Sequence, residues 1–160
     1  MSKFTNIKII HIEYPNEIHR ALAIRRKVFI EEQGYSEAIE KDGHDSICQH
    51  WIASCDIEYQ DGTIEHNVDI GNVRLVPKTD GLAKLGRLAV LSSARGLQIG
   101  RLLVEAFIDY CKNNNYNTIV LHSQYPKRGF YEKTGFRIED GDDEIFDEAG
   151  TPHVRMWMRL

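Results

Sequence analysis

The residues best suited to chemistry lie in one stretch. Leu85-Gly86-Arg87-Leu88-Ala89-Val90 is followed by Ser92-Ser93-Ala94-Arg95-Gly96-Leu97-Gln98-Ile99-Gly100-Arg101-Leu102-Leu103. A short apolar run ends in small residues, and a glycine-bracketed turn opens straight into an amphipathic helix. A strand that delivers its backbone to a helix N-terminus makes an anion site. The unpaired N–H groups of the first turn point outward, and the helix dipole favours negative charge there. Gly96 and Gly100 leave out side chains where a diphosphate would approach the backbone. No Gly-Lys-Ser/Thr follows the turn, which argues against a P-loop nucleotidase, and the glycine pattern is not that of a dinucleotide fold. The plainer reading is a helix start punctuated by glycine.

Other reactive side chains are scattered more thinly. His44, Cys48, His50 and Cys55 invite a zinc reading. Their spacing lacks Cys-x-x-Cys, and strand alternation sends Cys48 and His50 to one face and Cys55 to the other, so no metal is expected. Cys111 falls late on the helix that follows the glycine turn. None of the three cysteines is placed as a nucleophile. The acidic run Glu139-Asp140-Gly141-Asp142-Asp143-Glu144 reads first as a solvated loop, and second as a device that draws cationic amines toward a site.

The elements that must position these groups follow from periodicity. Ile7, Ile9 and the Ile10–Ile12 stretch suggest a first strand broken by Pro15 and Asn16. Ile18, Ala21, Leu22, Arg25, Val28 and Phe29 recur at helical spacing, with Arg25 sharing the apolar face, until Gly34. Residues 35–46 are polar and acidic and read as a loop of a length that is often functional. Trp51 to Tyr59 and Val68 to Pro77 form a hairpin through Asp61-Gly62, with Gly71 marking a bulge or bend. Residues 83–90 give the next strand. Ile99, Leu102, Leu103, Ala106, Phe107 and Tyr110 define the clearest helix. Ile119-Val120-Leu121 is a buried strand, residues 126–134 a short helix stopped by Gly135, and Phe136–Ile138 and 153–159 the last strands. The result is an α/β domain, a mixed sheet flanked by helices.

Composition sets the outer limits. The chain has 160 residues, 42% hydrophobic and 28% charged, which suits one globular domain over 1–160. A net charge of -4 argues against a general nucleic-acid binder. No apolar run approaches the ~18 residues that span a bilayer, and the N-terminus does not read as a signal peptide. Cysteines few and odd in number favour a reducing, cytoplasmic setting, with a nuclear pool left open.

Arg95-Gly96-Leu97-Gln98-Ile99-Gly100 resembles the acyl-coenzyme A pyrophosphate loop of the GCN5-related N-acetyltransferases (GNAT), usually Arg/Gln-x-x-Gly-x-Gly/Ala. Here Gln98 replaces the middle glycine, and the loop is expected to work if Gln98 stays helical. Ile24-Arg25-Arg26-Lys27-Val28-Phe29-Ile30-Glu31-Glu32-Gln33 resembles the first-helix signature of the ElaA-like and YjcF-like subgroup. Asp42, His50, the segment Phe130-Tyr131-Glu132-Lys133-Thr134-Gly135-Phe136, and Phe146 through Gly150, Pro152, His153 and Met156 follow in the subgroup's order. The resemblance implies a mostly antiparallel central sheet with a splayed parallel pair at the acyl-CoA site.

It also implies the roles. The backbone of Leu88, Ala89 and Val90 would pair with the pantetheine arm, and an N–H there, that of Leu88, would hold the thioester oxygen. Arg95, Gly96, Leu97, Gln98, Ile99, Gly100 and Arg101 would hold the diphosphate, with Gln124 and Phe130 as further coenzyme contacts. Tyr131 would be the general acid, since a phenol stays protonated at neutral pH and can donate to a departing thiolate. Glu32 and His50 are both candidates for the base, with a bound water chain as a third, and His153 lines the site or supports it. The implied activity is acetyl transfer from acetyl-CoA to a primary amine by direct attack in a ternary complex. The acceptor would be a small cationic amine or a peptide, and the family also allows a homodimer. The alternatives are a non-catalytic acyl-CoA-binding or sensing module, which Gln98 favours and Tyr131 opposes, and an α/β protein without a coenzyme site.

Overall fold

The computed structural model describes residues 2–160. Seven strands form one sheet in the order β1-β2-β3-β4-β5-β7-β6. They are β1 (Lys3–Ile12), β2 (Gln49–Glu58), β3 (Ile64–Pro77), β4 (Leu82–Val90), β5 (Thr118–Gln124), β6 (Ile145–Glu148) and β7 (Thr151–Arg159). Every neighbouring pair is antiparallel except β4 and β5. This is the mixed sheet with one parallel pair that the resemblance implies.

The two faces are packed by different helices. Helix α3 (Ile99–Asn113) buries Ile99, Leu103, Val104, Phe107 and Cys111 against Trp51, Val73, Leu75, Leu85, Ile119 and Leu121. Its apolar stripe is the one read from the i, i+3, i+4 spacing. Helix α1 (Ile18–Arg25) covers the opposite face of β2, β3 and β4. Ala21, Ile24 and Val28 meet Ile12, Ile52 and Ala89 there. Gly71 is required on the α3 side. A Cβ there would lie 3.0 Å from Leu103 Cδ1, 3.2 Å from Ile99 Cγ2 and 3.3 Å from the Ala89 carbonyl oxygen. Gly71 also adjoins a bulge, because Ala53 pairs with Gly71 while Ser54 pairs with Asp69.

Several elements depart from the periodicity. The first helix does not run regularly to Gly34. After Arg25 it widens into a π-helical turn over Arg26–Glu32, with Gln33 N–H bonded to the Val28 carbonyl at 3.0 Å. The 35–46 loop contains α2 (Glu37–Glu40), capped by Ser36 Oγ accepting from Ile39 N–H at 3.2 Å, and a 3₁₀ turn at Asp45–Ile47. The late helix splits into a 3₁₀ turn at Tyr125–Lys127 and α4 (Arg128–Lys133). Phe136–Ile138 is not a strand. Only Arg137 bridges to Trp157. The strand in that region is β6, which closes a hairpin onto β7 through Ala149 and Gly150, both at positive φ. Its polar alternation hid it from a reading based on apolar runs.

The feature that makes room for a site is in β4. Arg74 pairs with Gly86 and Asn72 with Ala89, so β4 holds one more residue than β3 across this interval. The extra length is absorbed at Arg87, with φ of 52°. The fully buried Asn72 donates from Nδ2 to the Arg87 carbonyl at 2.9 Å and fixes the bulge. Pairing of β4 with β5 stops at Leu85 and Leu121. Beyond that point neither neighbouring strand pairs with Arg87 or Leu88, and the two parallel strands part. Gly71→Val is expected to destabilise the fold by about 1–3 kcal/mol through overpacking against Leu103 and Ile99, read as a lower urea midpoint.

Candidate active site

The parting of β4 and β5 leaves a cavity of about 370 Å³. Leu88 on β4, Gln124 on β5, Tyr131 on α4 and His153 on β7 all line it, so four of the residues singled out from sequence meet in one place. Tyr131 is half-buried, and burial pushes its phenol well above the ordinary tyrosine range. It therefore holds its proton throughout neutral pH. Gln124 Nε2 donates to Gln33 Oε1 at 3.0 Å and to the Tyr35 hydroxyl at 3.3 Å. Tyr35 in turn donates to Thr151 Oγ1 at 2.9 Å. This polar chain ties the end of the π turn to β5 and β7 and closes one end of the cavity.

The anion loop sits beside it. Gly96 has φ of 84°, and Gln98, at the N-cap of α3, has φ of 65° and ψ of 17°. Gln98 is not helical as expected. It takes the left-handed conformation for which glycine is the usual residue. A glycine at this position could hold the same backbone conformation without strain. The Leu102 N–H bonds back to the Gln98 carbonyl at 3.1 Å, which leaves the earlier N–H groups of the helix start without intrahelical partners. Gly100 faces the Phe130 ring, whose Cζ lies 3.2 Å from where a Cβ would be, so the reason for this glycine is helix packing as well as open backbone. Phe130 stands outside the cavity lining, at the surface against α3. Arg101 turns to Glu105 at 3.3 Å.

Neither candidate base lines the cavity. Glu32 accepts two hydrogen bonds from Arg95, at 2.6 and 2.7 Å, and this pairing holds its carboxyl below the usual range. A carboxylate so paired is a poor proton acceptor. Its visible work is to hold the loop, since Arg95 Nε also donates to the Val90 carbonyl at 3.0 Å. His50 is buried behind the lining, where burial lowers its pKa. Its Nε2 lies 3.0 Å from the Asp45 carbonyl, an anchor for the 3₁₀ turn. The acidic run is also partly spent. Asp142 accepts from Arg155 Nη1 at 3.0 Å and from Trp157 Nε1 at 2.6 Å, and Glu139 pairs with Arg159. These two carboxylates neutralise β7 and are unavailable to draw a substrate.

The residues that roof the cavity were not singled out as a unit. Arg25, fully buried, donates from Nε to Glu40 at 2.9 Å and from Nη1 to Asp45 at 2.8 Å. Arg74 holds Asp42 at 2.6 Å and Asp45 at 3.1 Å. Arg87, the bulge residue, reaches Glu40 at 2.7 Å and Asp42 at 3.3 Å. Three cations and three anions thus fasten the segment around α2 onto β3 and β4. Tyr35, Ile39, Asp42 and His44 of that segment form the cavity wall. The signal was there in Arg25 on an apolar helix face and Arg74 inside an apolar strand. Buried arginines require carboxylates, and residues 37–45 are rich in them.

A model of the acetyltransferase (GNAT) domain family matches residues 25–160. The chain belongs to this family. Among its relatives, the Bacillus subtilis protein YyaT is 37% identical over 154 residues, covering 94% of this chain and 93% of that protein. A protein assigned as an N-acetyltransferase from Lactobacillus plantarum superposes with a TM-score of 0.81 at 29% identity, over 98% of this chain and 99% of that one. A Bacillus subtilis acetyltransferase solved in complex with CoA shares the fold, with a TM-score of 0.67 at 20% identity over 97% of this chain and 99% of that one. As a GNAT domain the protein is an N-acetyltransferase, and its cavity marks where β4 and β5 part.

The roof of this GNAT domain carries a pH dependence. Burial opposes ionisation of Asp42, but hydrogen bonds from Arg74 and the His44 N–H and the charges of Arg74 and Arg87 outweigh it and hold the carboxyl far below its usual range. Asp45 is lowered in the same way by Arg25 and Arg74 against burial. An unfolded aspartate takes a proton near a pKa of about 3.9. Below that pH the unfolded chain binds more protons than the folded one, so stability falls as pH drops. A urea midpoint followed downward from pH 6 is expected to decline below about pH 4. In Asp42→Asn it should start lower and decline less steeply.

Proposed function

We propose that this domain transfers an acetyl group from acetyl-coenzyme A to a primary amine by direct attack in a ternary complex. The observation that carries the reading is the bulged end of β4. It leaves the Leu88 backbone unpaired on both sides and lines one cavity with Leu88 and the Tyr131 phenol. An unpaired strand edge accepts an extended chain as an added strand, which suits the pantetheine arm along Leu88, Ala89 and Val90. The coenzyme-bound neighbour of the same fold supports the choice of donor.

The N–H groups from Gly96 to Arg101 would take the diphosphate at the start of α3, where the dipole favours it. The Leu88 N–H would stabilise the oxyanion that forms as the amine attacks the thioester carbonyl. The C–N bond forms, the C–S bond breaks, and the thiolate takes the phenolic proton of Tyr131. A covalent acyl-enzyme is disfavoured by the thiols. Cys48, Cys55 and Cys111 are all buried, and burial pushes Cys48 up to about 11 and Cys111 up to about 12. The three free thiols also suit a reducing cytoplasm. The acceptor is a small molecule or a peptide that enters between the α2 roof and β5. Against the binding-only alternative stands the Tyr131 side chain, which lines the same cavity as Leu88.

Calorimetric titration with acetyl-CoA is expected to show saturable binding. Tyr131→Phe should retain that binding and lower kcat about 10²–10⁴-fold, measured as thiol release with a primary amine. Unchanged turnover in the variant would remove Tyr131 from the mechanism.

A further inference from the structure

We propose that His122, oriented by Glu148, is the base that takes the proton from the acceptor ammonium. This rests on the acetyl-transfer reading and supplies the base that neither Glu32 nor His50 is placed to provide. His122 follows the buried run of β5 and lies just past the last pairing of β5 with β4, where the strands part. Its ring and Glu148 both line the cavity that Leu88 and Tyr131 line.

The geometry sets the tautomer. His122 Nδ1 lies 2.7 Å from Glu148 Oε1. An ionised carboxylate only accepts, so Nδ1 carries the proton. In the neutral ring Nε2 then keeps its lone pair, and among the described residues it has no hydrogen-bond partner. A carboxylate on the far nitrogen orients the imidazole and stabilises the imidazolium that forms. The ring is further held edge-on to Phe146, with centroids 5.1 Å apart.

The surrounding charges come from each neighbouring element. On β6, Glu148 faces both His122 and His153, whose Nε2 is 3.6 Å from Oε2. His153 Nδ1 donates to the Thr151 carbonyl at 2.8 Å, which sets the tautomer of that ring. On β7, Arg155 is paired with Asp142. Lys84 on β4 and Lys78, just past the end of β3, form no ion pair among the described residues and share a groove with His122. Across the cavity stand Asp42 and His44 of the roof, with Asp42 already paired to Arg74.

The step balances as follows. An R–NH₃⁺ acceptor gives one proton to Nε2 and attacks as the free amine. The second nitrogen proton, acidified as the amide forms, restores the Tyr131 phenol through solvent after Tyr131 has protonated the thiolate. His122 releases its proton to bulk water. The net products are the acetamide, the free thiol and one proton.

The test uses the whole protein with acetyl-CoA and a probe set of spermidine, tyramine, lysine and glucosamine. Thiol release is followed from acid to alkaline pH, with acetyl-CoA affinity measured on the same samples. The wild type should show an acid limb in kcat/KM. His122→Gln should lose that limb and fall about 10²–10⁴-fold while binding acetyl-CoA as before. Glu148→Gln should move the limb to lower pH, a shift that a merely structural role would not cause. Nitrogen NMR of the imidazoles should find Nδ1 protonated in neutral His122. A neutral ring protonated at Nε2, or a His122→Gln variant with the wild-type rate and limb, would overturn the assignment of His122 and leave the acetyl-transfer reading standing. Loss of acetyl-CoA binding in the wild type would overturn both.

Discussion

One strained residue, Arg87, joins the two things the site needs. Its backbone, at positive φ, takes up the extra residue of β4 and so separates β4 from β5. Its side chain ties Glu40 and Asp42 of the roof to the strand it has bent. A non-glycine residue in that conformation costs about 1–2 kcal/mol, and it is retained because Asn72 and Glu40 hold both ends of it. Pairing of β4 with β5 ends at Leu85, just before the bulge, and the cavity opens beyond that point. Without the side-chain pairs the roof would keep the His50 and Tyr35 hydrogen bonds at its two ends.

The ion network works by mutual dependence. Arg25 and Glu40 are almost wholly removed from water, and each would be a heavy burden alone. Removing one member of a buried pair typically costs about 3–5 kcal/mol, whereas the intact pair adds little net stability. The value of the arrangement is therefore in position. Charges from α1, β3 and β4 meet the same short segment, so the roof has one allowed place.

Much of this was legible in advance. The α3 stripe, the Asp61-Gly62 hairpin and the order of the strands through β5 follow from spacing, and Leu88, Gln124, Tyr131 and His153 do share a cavity. What periodicity could not reveal was long-range pairing. Arg25 and Arg74 sit in apolar patterns that read as core, and their carboxylates lie 15 to 32 residues away. His122 lies just past the apolar Ile119-Val120-Leu121 run, and Glu148 belongs to a polar four-residue strand visible only through its pairing with β7. Glu32 matched a signature yet is engaged by Arg95, a partner 63 residues distant. At Gln98 a non-glycine side chain points to helical backbone, yet the residue is left-handed, a strain that an exposed cap tolerates.

The π turn at Arg26–Glu32 has a consequence for how such chains can vary. A wide turn carries a residue more than a regular helix needs over the same length. Exchange of side chains along it leaves the path of the chain intact. Deletion of that one residue would let the helix close into regular α geometry with the chain after it in nearly the same register. Gln33 and Tyr35 would then still point toward Gln124 and Thr151. Loss of a second residue would have no such slack to draw on, and would turn everything after it by about 100°.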